Sequence, residues 1–205
     1  LGQYVTEEAT TGNLVVTISA SGTLQPTRSV DVGSELSGTL EAVLVNENDT
    51  VKQGQVVARL DTSKLQDTAA KSRAAVAAAQ ANVAQMEATV AESRANLNRL
   101  RHVAELSGGK VPSKTELESA EASLQRAVAN VDSAKAAVVQ AKATLKSDET
   151  NIAKAVIRAP INGVVLTRKV EPGQTVVANM TTPVLFTMAE DLTKMELQVK
   201  VDEAD

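Results

Sequence analysis

The middle of the chain repeats apolar residues at intervals of seven, which is the pattern of a coiled-coil seam. The later of two such stretches repeats without a gap at Leu117, Leu124, Val131, Val138, Leu145 and Ile152, with Ala120, Ala127, Ala134 and Ala141 three places after the first four. The earlier stretch has Ser72 and Ser93 as polar exceptions and otherwise keeps the period at Val76, Val83, Val90 and Leu97, joined by Ala79, Met86 and Leu100. The pattern predicts two long helices that pack against each other.

A break separates the two helices. The run Ser107-Gly108-Gly109-Lys110-Val111-Pro112 ends the first helix, and Ser113-Lys114-Thr115-Glu116 has the spacing of a capping box that starts the second. Residues 62–154 are therefore predicted to form an antiparallel helical hairpin with its tip at about residues 107–113. At about 1.5 Å per residue, arms of about 41 to 45 residues make a rod roughly 60 to 65 Å long.

The segments on either side of the hairpin match each other at a constant offset of 125 residues. The offset pairs Val32 with Ile157, Leu36 with Ile161, Gly38 with Gly163, Leu40 with Val165, Val45 with Val170, Thr50 with Thr175 and Val51 with Val176. Both segments consist of short apolar runs separated by turn residues, which is typical of β-strands. A β half-domain is therefore present twice, and the hairpin is inserted between its copies.

The turn residues of the two copies also correspond. Pro172-Gly173 suits a type II turn, in which proline takes the first central position and glycine accepts positive φ at the second. The first copy has Glu47-Asn48 there, and asparagine tolerates positive φ, so we expect the same turn in both. Gly38 and Gly163 are expected to mark bends or close approaches of the backbone.

Alternating apolar and polar residues predict two more strands, Asn13–Ala20 and Lys194–Val201. Neither strand has a partner nearby in the sequence, so we assign residues 1–29 and 192–205 to a further β domain, a barrel that is incomplete in this chain. The predicted fold is α+β and elongated. Residues 30–61 and 155–191 form its β domain, residues 62–154 form the hairpin, and the barrel strands complete it.

Composition excludes several classes of function. Aromatic residues make up 1% of the 205 residues and the formal net charge is −4, which argues against base-stacking platforms and a nucleic-acid partner. The sequence has no cysteine and a single histidine, so we find no catalytic or metal-binding constellation and expect no cofactor. No apolar run reaches the length of a membrane span and no signal sequence is visible, so any anchor is expected outside this chain.

The duplicated segments resemble the two halves of a biotinyl/lipoyl domain. The first half carries Ser37-Gly38-Thr39-Leu40 and Gln53-Gly54-Gln55-Val56, and the second carries Arg158-Ala159-Pro160-Ile161-Asn162-Gly163 and Pro172-Gly173-Gln174-Thr175-Val176. In carrier proteins a β-hairpin between the halves displays a lysine that is modified. Lys64 lies near that junction, but no methionine adjoins it, and it fits the first turn of a helix after an Asp or Thr cap.

A split lipoyl domain with an inserted helical hairpin resembles the periplasmic adaptor proteins, also called membrane fusion proteins, of tripartite efflux and secretion systems. The segment Pro172-Gly173-Gln174-Thr175-Val176-Val177-Ala178 looks most like the macrolide-type adaptors of ABC exporters. The resemblance implies an adaptor anchored to the inner membrane of a Gram-negative bacterium and located in the periplasm. It would self-associate, typically as a hexamer, above an inner-membrane transporter, and its hairpins would contact a TolC-like outer-membrane channel.

The resemblance also implies functional residues. In several adaptors the hairpin tip carries an arginine, a leucine four residues later and a serine seven residues after that. Leu106 and Ser113 fit this spacing, while His102 stands at the arginine position and Arg101 precedes it. His102 is either a hydrogen-bond donor to the duct or a solvated surface residue, and Ser113 is a helix cap, a contact or both. Gln174 matches a glutamine that forms a constricting ring in macrolide-type adaptors, with an exposed turn residue as the alternative.

Two alternatives to an ABC-type adaptor stay open at this point. Adaptors of proton-driven efflux and type I secretion systems have the same architecture. A structural coiled-coil spacer is the alternative from another class, because a heptad hairpin alone shows only that two helices pair. The position of the hairpin between the copies of a duplicated β half-domain favours the adaptor.

Overall fold

The computed structural model describes residues 28–191. These residues divide into two compact units, one that runs to Asp61 and resumes at Ala155, and one that comprises Thr62–Lys154. The predicted strands Asn13–Ala20 and Lys194–Val201, and the barrel to which they were assigned, lie outside the described residues.

The unit Thr62–Lys154 is an antiparallel pair of long helices, α1 (Ser63–Leu106) and α2 (Lys114–Lys154). The residues of the predicted seam are buried or half-buried along both helices, so the seam prediction is confirmed. Leu97 keeps only 2% of its surface exposed. The polar exception Ser72 is explained by its partner, because its hydroxyl donates a hydrogen bond to Asp148 Oδ2 on the other helix.

The start of α1 differs from the prediction in one respect. Thr62 occupies the N-cap position, but its side chain makes no capping hydrogen bond. Its backbone has φ −105° and ψ 9°, outside the extended region from which an N-cap hydroxyl reaches the first free N–H groups. Thr62 is therefore the N-cap residue, as one of the two predicted alternatives, but it makes no side-chain capping bond. Lys64 does lie in the first helical turn as predicted, and not in the β-hairpin that a carrier lysine requires.

The loop of residues 107–113 joins the helices through a Schellman motif. Gly109 N–H donates to Ala104 O over 2.8 Å, and Gly108 N–H donates to Glu105 O over 3.3 Å. Both glycines have positive φ, 68° at Gly108 and 87° at Gly109, which residues with a Cβ rarely adopt. The Ser107 hydroxyl then accepts from the Val111 N–H and donates to the Val111 carbonyl. Glycine thus ends α1 where the sequence predicts a break.

The other unit contains two four-stranded sheets. In chain order, the strands β1 to β8 are Ser29–Gly33, Gly38–Val43, Thr50–Val51, Val56–Leu60, Val156–Arg158, Gly163–Arg168, Thr175–Val176 and Val184–Glu190. One sheet has the strand order β1-β8-β6-β3 and the other β5-β4-β2-β7, and every pairing is antiparallel. The most buried large side chains come from both sheets and include Leu40, Leu60, Leu185, Phe186 and Met188.

The two sheets are copies of one another. Exchanging the first four strands for the last four converts one strand order into the other. Each sheet therefore contains strands from both halves of the sequence, and neither half forms a sheet alone. The bulge in β2 lies between Leu40 and Ala42, and the bulge in β6 lies 125 residues later, between Val165 and Thr167. The duplication read from the sequence thus extends to the irregularities of the strands.

The predicted turns are confirmed in both copies. Asn48 has φ 75° and Gly173 has φ 89°. The turn of residues 46–49 closes with a 3.2 Å hydrogen bond from Asp49 N–H to Asn46 O, and the turn of residues 171–174 closes with one of the same length from Gln174 N–H to Glu171 O. We refer to these as the first-half turn and the second-half turn.

Backbone hydrogen bonds fasten each turn to the opposite half of the sequence. Asn48 N–H donates to Val165 O over 2.8 Å, and Gly173 N–H donates to Leu40 O over the same distance. The reverse bonds, from the N–H groups of Val165 and Leu40 to the carbonyls of Asp49 and Gln174, measure 2.9 Å. The turns are therefore held to the strands by hydrogen bonds and are not free loops.

Candidate functional site

The tip of the hairpin brings together four of the residues predicted from the sequence. Arg101, His102 and Leu106 lie in the last two turns of α1, and Ser113 is the residue before α2 begins. Gln174 belongs to the β unit. The candidate residues therefore form two separate sites, the hairpin tip and the second-half turn.

Arg101 and His102 lie on the surface of the tip and differ in their partners. Arg101 Nη2 lies 3.5 Å from Glu121 Oε1 on α2, so this arginine joins the two helices near their loop. His102 Nδ1 lies 4.0 Å from Glu105 Oε2 on its own helix, with most of its side chain exposed. The exposed ion pair between Arg101 and Glu121 contributes about 0 to 1 kcal/mol. The two side chains are thus solvated, and His102 is available to a partner.

Leu106 is 76% exposed, the highest value among the exposed large apolar side chains of the hairpin. Val103, one turn earlier, and Val111, in the loop, are exposed as well. Neither valine is among the tip residues predicted from the sequence. Val111 could have been predicted, since it lies inside the predicted tip. Val103 lies outside the heptad seam, and only its position in the repeat indicates that it is exposed. The tip therefore exposes three large apolar side chains in addition to Arg101 and His102.

Ser113 caps α2. Its hydroxyl accepts a hydrogen bond from Glu116 N–H over 3.2 Å, and its carbonyl accepts one from Leu117 N–H over 3.1 Å. The first of these is the capping-box bond that the sequence predicts. A Ser113 hydroxyl in this position fixes the direction in which the tip loop enters the second helix.

Gln174 is exposed at the end of the second-half turn. Its side-chain Oε1 accepts a 3.2 Å hydrogen bond from Glu171 N–H, which braces the turn from within. Asp49 Oδ2 accepts the equivalent bond from Asn46 N–H in the first-half turn, over 2.8 Å. One end of the Gln174 amide is therefore held by its own turn, and the other end is an NH₂ group with two donors.

A third turn in the β unit is built in the same way. Gly54 has φ 88°, Gln55 N–H donates to Lys52 O over 2.9 Å, and Gln55 Oε1 accepts from Lys52 N–H over 3.0 Å. Gln55 is also exposed. An exposed glutamine that braces a turn is therefore present twice in this unit, and only its location distinguishes Gln174 from Gln55.

Residues 28–191 contain neither a candidate metal cluster nor a helix suited to span a membrane. Within that range no cluster of three or more His, Asp or Glu side chains has the arrangement of a metal site. Neither described helix contains a stretch that is both long enough and apolar enough to span a bilayer.

Comparison with known proteins identifies the fold. Residues 28–188 match the family model described as the RND MFP barrel-sandwich hybrid domain. The macrolide export protein MacA of Yersinia pestis is 32% identical over 202 residues, which cover 98% of this chain and 53% of that protein. The pyoverdine export membrane fusion protein PvdR of Pseudomonas aeruginosa is also 32% identical over 202 residues, covering 98% of this chain and 51% of that protein.

A solved structure agrees with the sequence relatives. The crystal structure of MacA from Actinobacillus actinomycetemcomitans matches with a TM-score of 0.74 and 30% identity, covering 80% of this chain and 50% of that one. The chain spans about half the length of the curated relatives it matches. The resemblance read from the sequence is confirmed. The chain belongs to the membrane fusion protein family and carries the barrel-sandwich hybrid domain of that family.

Proposed function

We propose that the protein is a periplasmic adaptor that links an inner-membrane exporter, of the ABC type, to a TolC-like outer-membrane duct. The supporting observation is the apolar surface at the hairpin tip, where Val103, Leu106 and Val111 are exposed. A hairpin that serves only as a spacer does not need apolar side chains in water at its loop, whereas a docking surface does. The relatives named for macrolide and pyoverdine export support a role in efflux.

The remaining parts of the proposal concern location and assembly. The adaptor is anchored to the inner membrane of a Gram-negative bacterium, works in the periplasm without catalytic activity of its own, and assembles as a hexamer. Residues 30–61 and 155–191 form the ring, and residues 62–154 carry the docking tip.

Each tip residue has a distinct role in the proposed docking. Leu106 enters an apolar recess of the duct, because an exposed leucine gains about 1.5 to 3 kcal/mol when fully buried. His102 and Arg101 donate hydrogen bonds to duct carbonyls at the border of that contact. Ser113 holds the loop in position through its bond to Glu116 N–H.

A cross-linking experiment in cells tests the docking. These 205 residues contain no cysteine, so Lys110→Cys gives this part of the full-length protein one thiol. Lys110 is exposed and lies outside the positive-φ glycines of the loop, so Lys110→Cys leaves the loop unstrained. We expect a reagent with one thiol-reactive end and one photoreactive end to capture an outer-membrane duct protein, identified by mass spectrometry. Gln85→Cys, at an exposed position in the middle of α1, is the matched control and should capture none.

Two further outcomes separate the alternatives. If Lys110→Cys captures only other copies of the protein in cells that make a duct, the spacer function replaces the adaptor function. If it captures a duct, adding Leu106→Ala should lower the yield several-fold. An unchanged yield would remove Leu106 from the contact.

We propose further that Gln174 lines a constriction of the adaptor ring. Its side chain is exposed, and its Oε1 bond to Glu171 N–H leaves the NH₂ group as the donor that can reach a neighbouring copy. Six amides arranged in this way would make a soft closure, because each neutral hydrogen bond contributes only about 0.5 to 1.5 kcal/mol.

Disulfide formation between copies tests the constriction. A disulfide requires Cα atoms within about 7 Å, so it reports whether the 174 positions of neighbouring copies lie close together. If they line one constriction, Gln174→Cys in the full-length protein should yield disulfide-linked dimers on mild oxidation. Gln55→Cys is the matched control, since Gln55 is an exposed glutamine in a turn of the same construction. Absence of dimers with Gln174→Cys, or equal yields at both positions, would contradict the ring.

A further inference from the structure

Arg168, the last residue of β6, is bonded to both of the equivalent turns. Its Nε donates to Val170 O, just before the second-half turn, over 2.9 Å, and its Nη2 donates to Glu171 Oε2 in that turn over 2.7 Å. Its Nη1 donates to Asn46 Oδ1 in the first-half turn. Its backbone N–H lies 3.5 Å from Glu47 Oε1 in the same turn. One side chain therefore joins segments that lie more than 100 residues apart in the sequence.

The duplicated half shows that the fold does not require this arginine. The position 125 residues earlier, at the corresponding end of β2, is Val43. One other side-chain contact between the halves is reciprocal, whereas the bond from Arg158 to Gly54 O occurs once, because Gly33 stands at the equivalent position. Asn162 Oδ1 accepts from Gln53 N–H, and Ser37 Oγ, at the equivalent position, accepts from Ala178 N–H. The Arg168 bridge has no such counterpart, because valine carries no donor. It is an addition to one copy.

We propose that Arg168 is a positioning residue that locks the second-half turn, and with it Gln174, onto the first-half turn. This role rests on the proposed constriction at Gln174. Gln174 braces Glu171 from one side through its Oε1, and Arg168 holds the carboxylate of the same Glu171 from the other side. Asn46, on the first-half turn, supplies the fixed point. A constriction made of weak amide bonds requires each glutamine to keep a fixed position in its own copy, and this bridge holds Gln174 in that position.

The chemistry of the bridge suits arginine in particular. The guanidinium is a planar group with five donors, so it can serve Asn46, Val170 and Glu171 at once. Its side chain is only 18% exposed while that of Glu171 is 77% exposed, so most of the Arg168 side chain is shielded from water beside an exposed carboxylate. A lysine ammonium at this position keeps the charge for Glu171 but cannot reproduce the three-way geometry.

Hydrogen exchange of the full-length protein tests the bridge itself. Arg168→Gln should raise exchange about tenfold in peptides covering both turns, the change expected when a charged hydrogen bond worth about 1.5 kcal/mol is lost. Exchange in β8 and in the hairpin should stay unchanged, whereas general destabilisation would raise it everywhere. Arg168→Lys should restore slow exchange in the second-half turn only, because its ammonium pairs with Glu171.

Arg158→Gln is the matched control. Arg158 Nη1 donates to Gly54 O over 2.8 Å, so this variant also removes an arginine from a turn with positive φ. It should accelerate exchange only in residues 52–55. If Arg168→Gln leaves exchange at Asn48 and Gly173 unchanged, or changes it no more than Arg158→Gln does, the bridge is overturned.

Disulfide yield tests the link to Gln174. Adding Arg168→Gln to Gln174→Cys should lower the dimer yield at least threefold, and adding Arg158→Gln should leave it unchanged. An unchanged yield with Arg168→Gln overturns the positioning role while the constriction stands. Failure of Gln174→Cys alone to form dimers overturns the constriction, and with it the role of Arg168 in that constriction, while hydrogen exchange still decides whether the bridge holds the turns.

Discussion

Gly38 and Gly163 occupy equivalent positions in the two halves, yet the structure gives an added methyl group opposite consequences at the two sites. A Cβ built on Gly163 would lie 1.9 Å from Ala189 O and 2.9 Å from Ala189 C in the paired strand β8. A Cβ built on Gly38 would have Leu60 Cδ1 as its nearest neighbour, at 3.8 Å, which is ordinary van der Waals contact. Gly163 thus marks a close approach of two backbones, as the sequence analysis expected, and Gly38 does not.

The magnitudes follow from these distances. Carbon atoms without a bond between them need a separation of about 3.5 to 4.0 Å, so Gly163→Ala must push β6 and β8 apart. Overpacking of this kind costs about 1 to 3 kcal/mol, and each strand hydrogen bond that is lost adds about 1 kcal/mol. We therefore expect a loss of roughly 3 kcal/mol or more. Gly38→Ala should instead stabilise the unit by about 0.4 to 1 kcal/mol, by reducing the freedom of the unfolded chain.

Urea unfolding followed by two-dimensional amide NMR measures both effects. The amide signals of Leu40 and Val165 report on the β unit, whereas far-ultraviolet circular dichroism would be dominated by α1 and α2. Gly163→Ala should lower the urea midpoint and Gly38→Ala should raise it slightly. Equal shifts for the two variants, or a Gly163→Ala loss below about 0.5 kcal/mol, the range of ordinary surface substitutions, would refute the close approach of β6 and β8.

Three further predictions concern the hairpin. Ser113→Ala should cost about 1 kcal/mol through loss of the cap, measured by hydrogen exchange at the start of α2, and Ser113→Asp should restore the cap without restoring a hydroxyl contact. Ser72→Ala and Asp148→Ala should destabilise the hairpin by less together than the sum of the two single changes, in thermal unfolding, because both remove the same hydrogen bond. Leu97→Ala should cost about 2 to 5 kcal/mol in the same assay, since Leu97 is buried, whereas Leu106→Ala should stay within about 0.5 kcal/mol.

The hairpin could be predicted from the sequence because its signal is long and local. A seven-residue repeat sustained along both helices leaves one way to bury the apolar residues, and the glycines after Leu106 mark where the chain turns. The partner of Ser72 could not be predicted. Its bond to Asp148 depends on the stagger between the helices, which the shape of the tip loop sets and the heptads alone do not.

The turns of the β unit show the same division. Positive φ at Asn48 and Gly173 could be anticipated because the residues that tolerate it are few and the two copies agree. The difference between Gly38 and Gly163 could not be read from the same comparison. It depends on how closely β8 approaches β6, which is a property of the strand pairing and not of the repeated residues themselves.

The duplication offers a way to separate what the fold requires from what function has added. Features present in both halves, such as the bulges and the backbone bonds of the two turns, are required by a barrel-sandwich that each half builds equally. Features present in one half only have no such explanation. Gln174 replaces Asp49 and Arg168 replaces Val43, and both differences fall on the edge where the two turns meet. The halves also differ elsewhere, as at Arg158, which stands opposite Gly33 and bonds Gly54 O, so what distinguishes Arg168 is that its bonds connect the segments of the two equivalent turns.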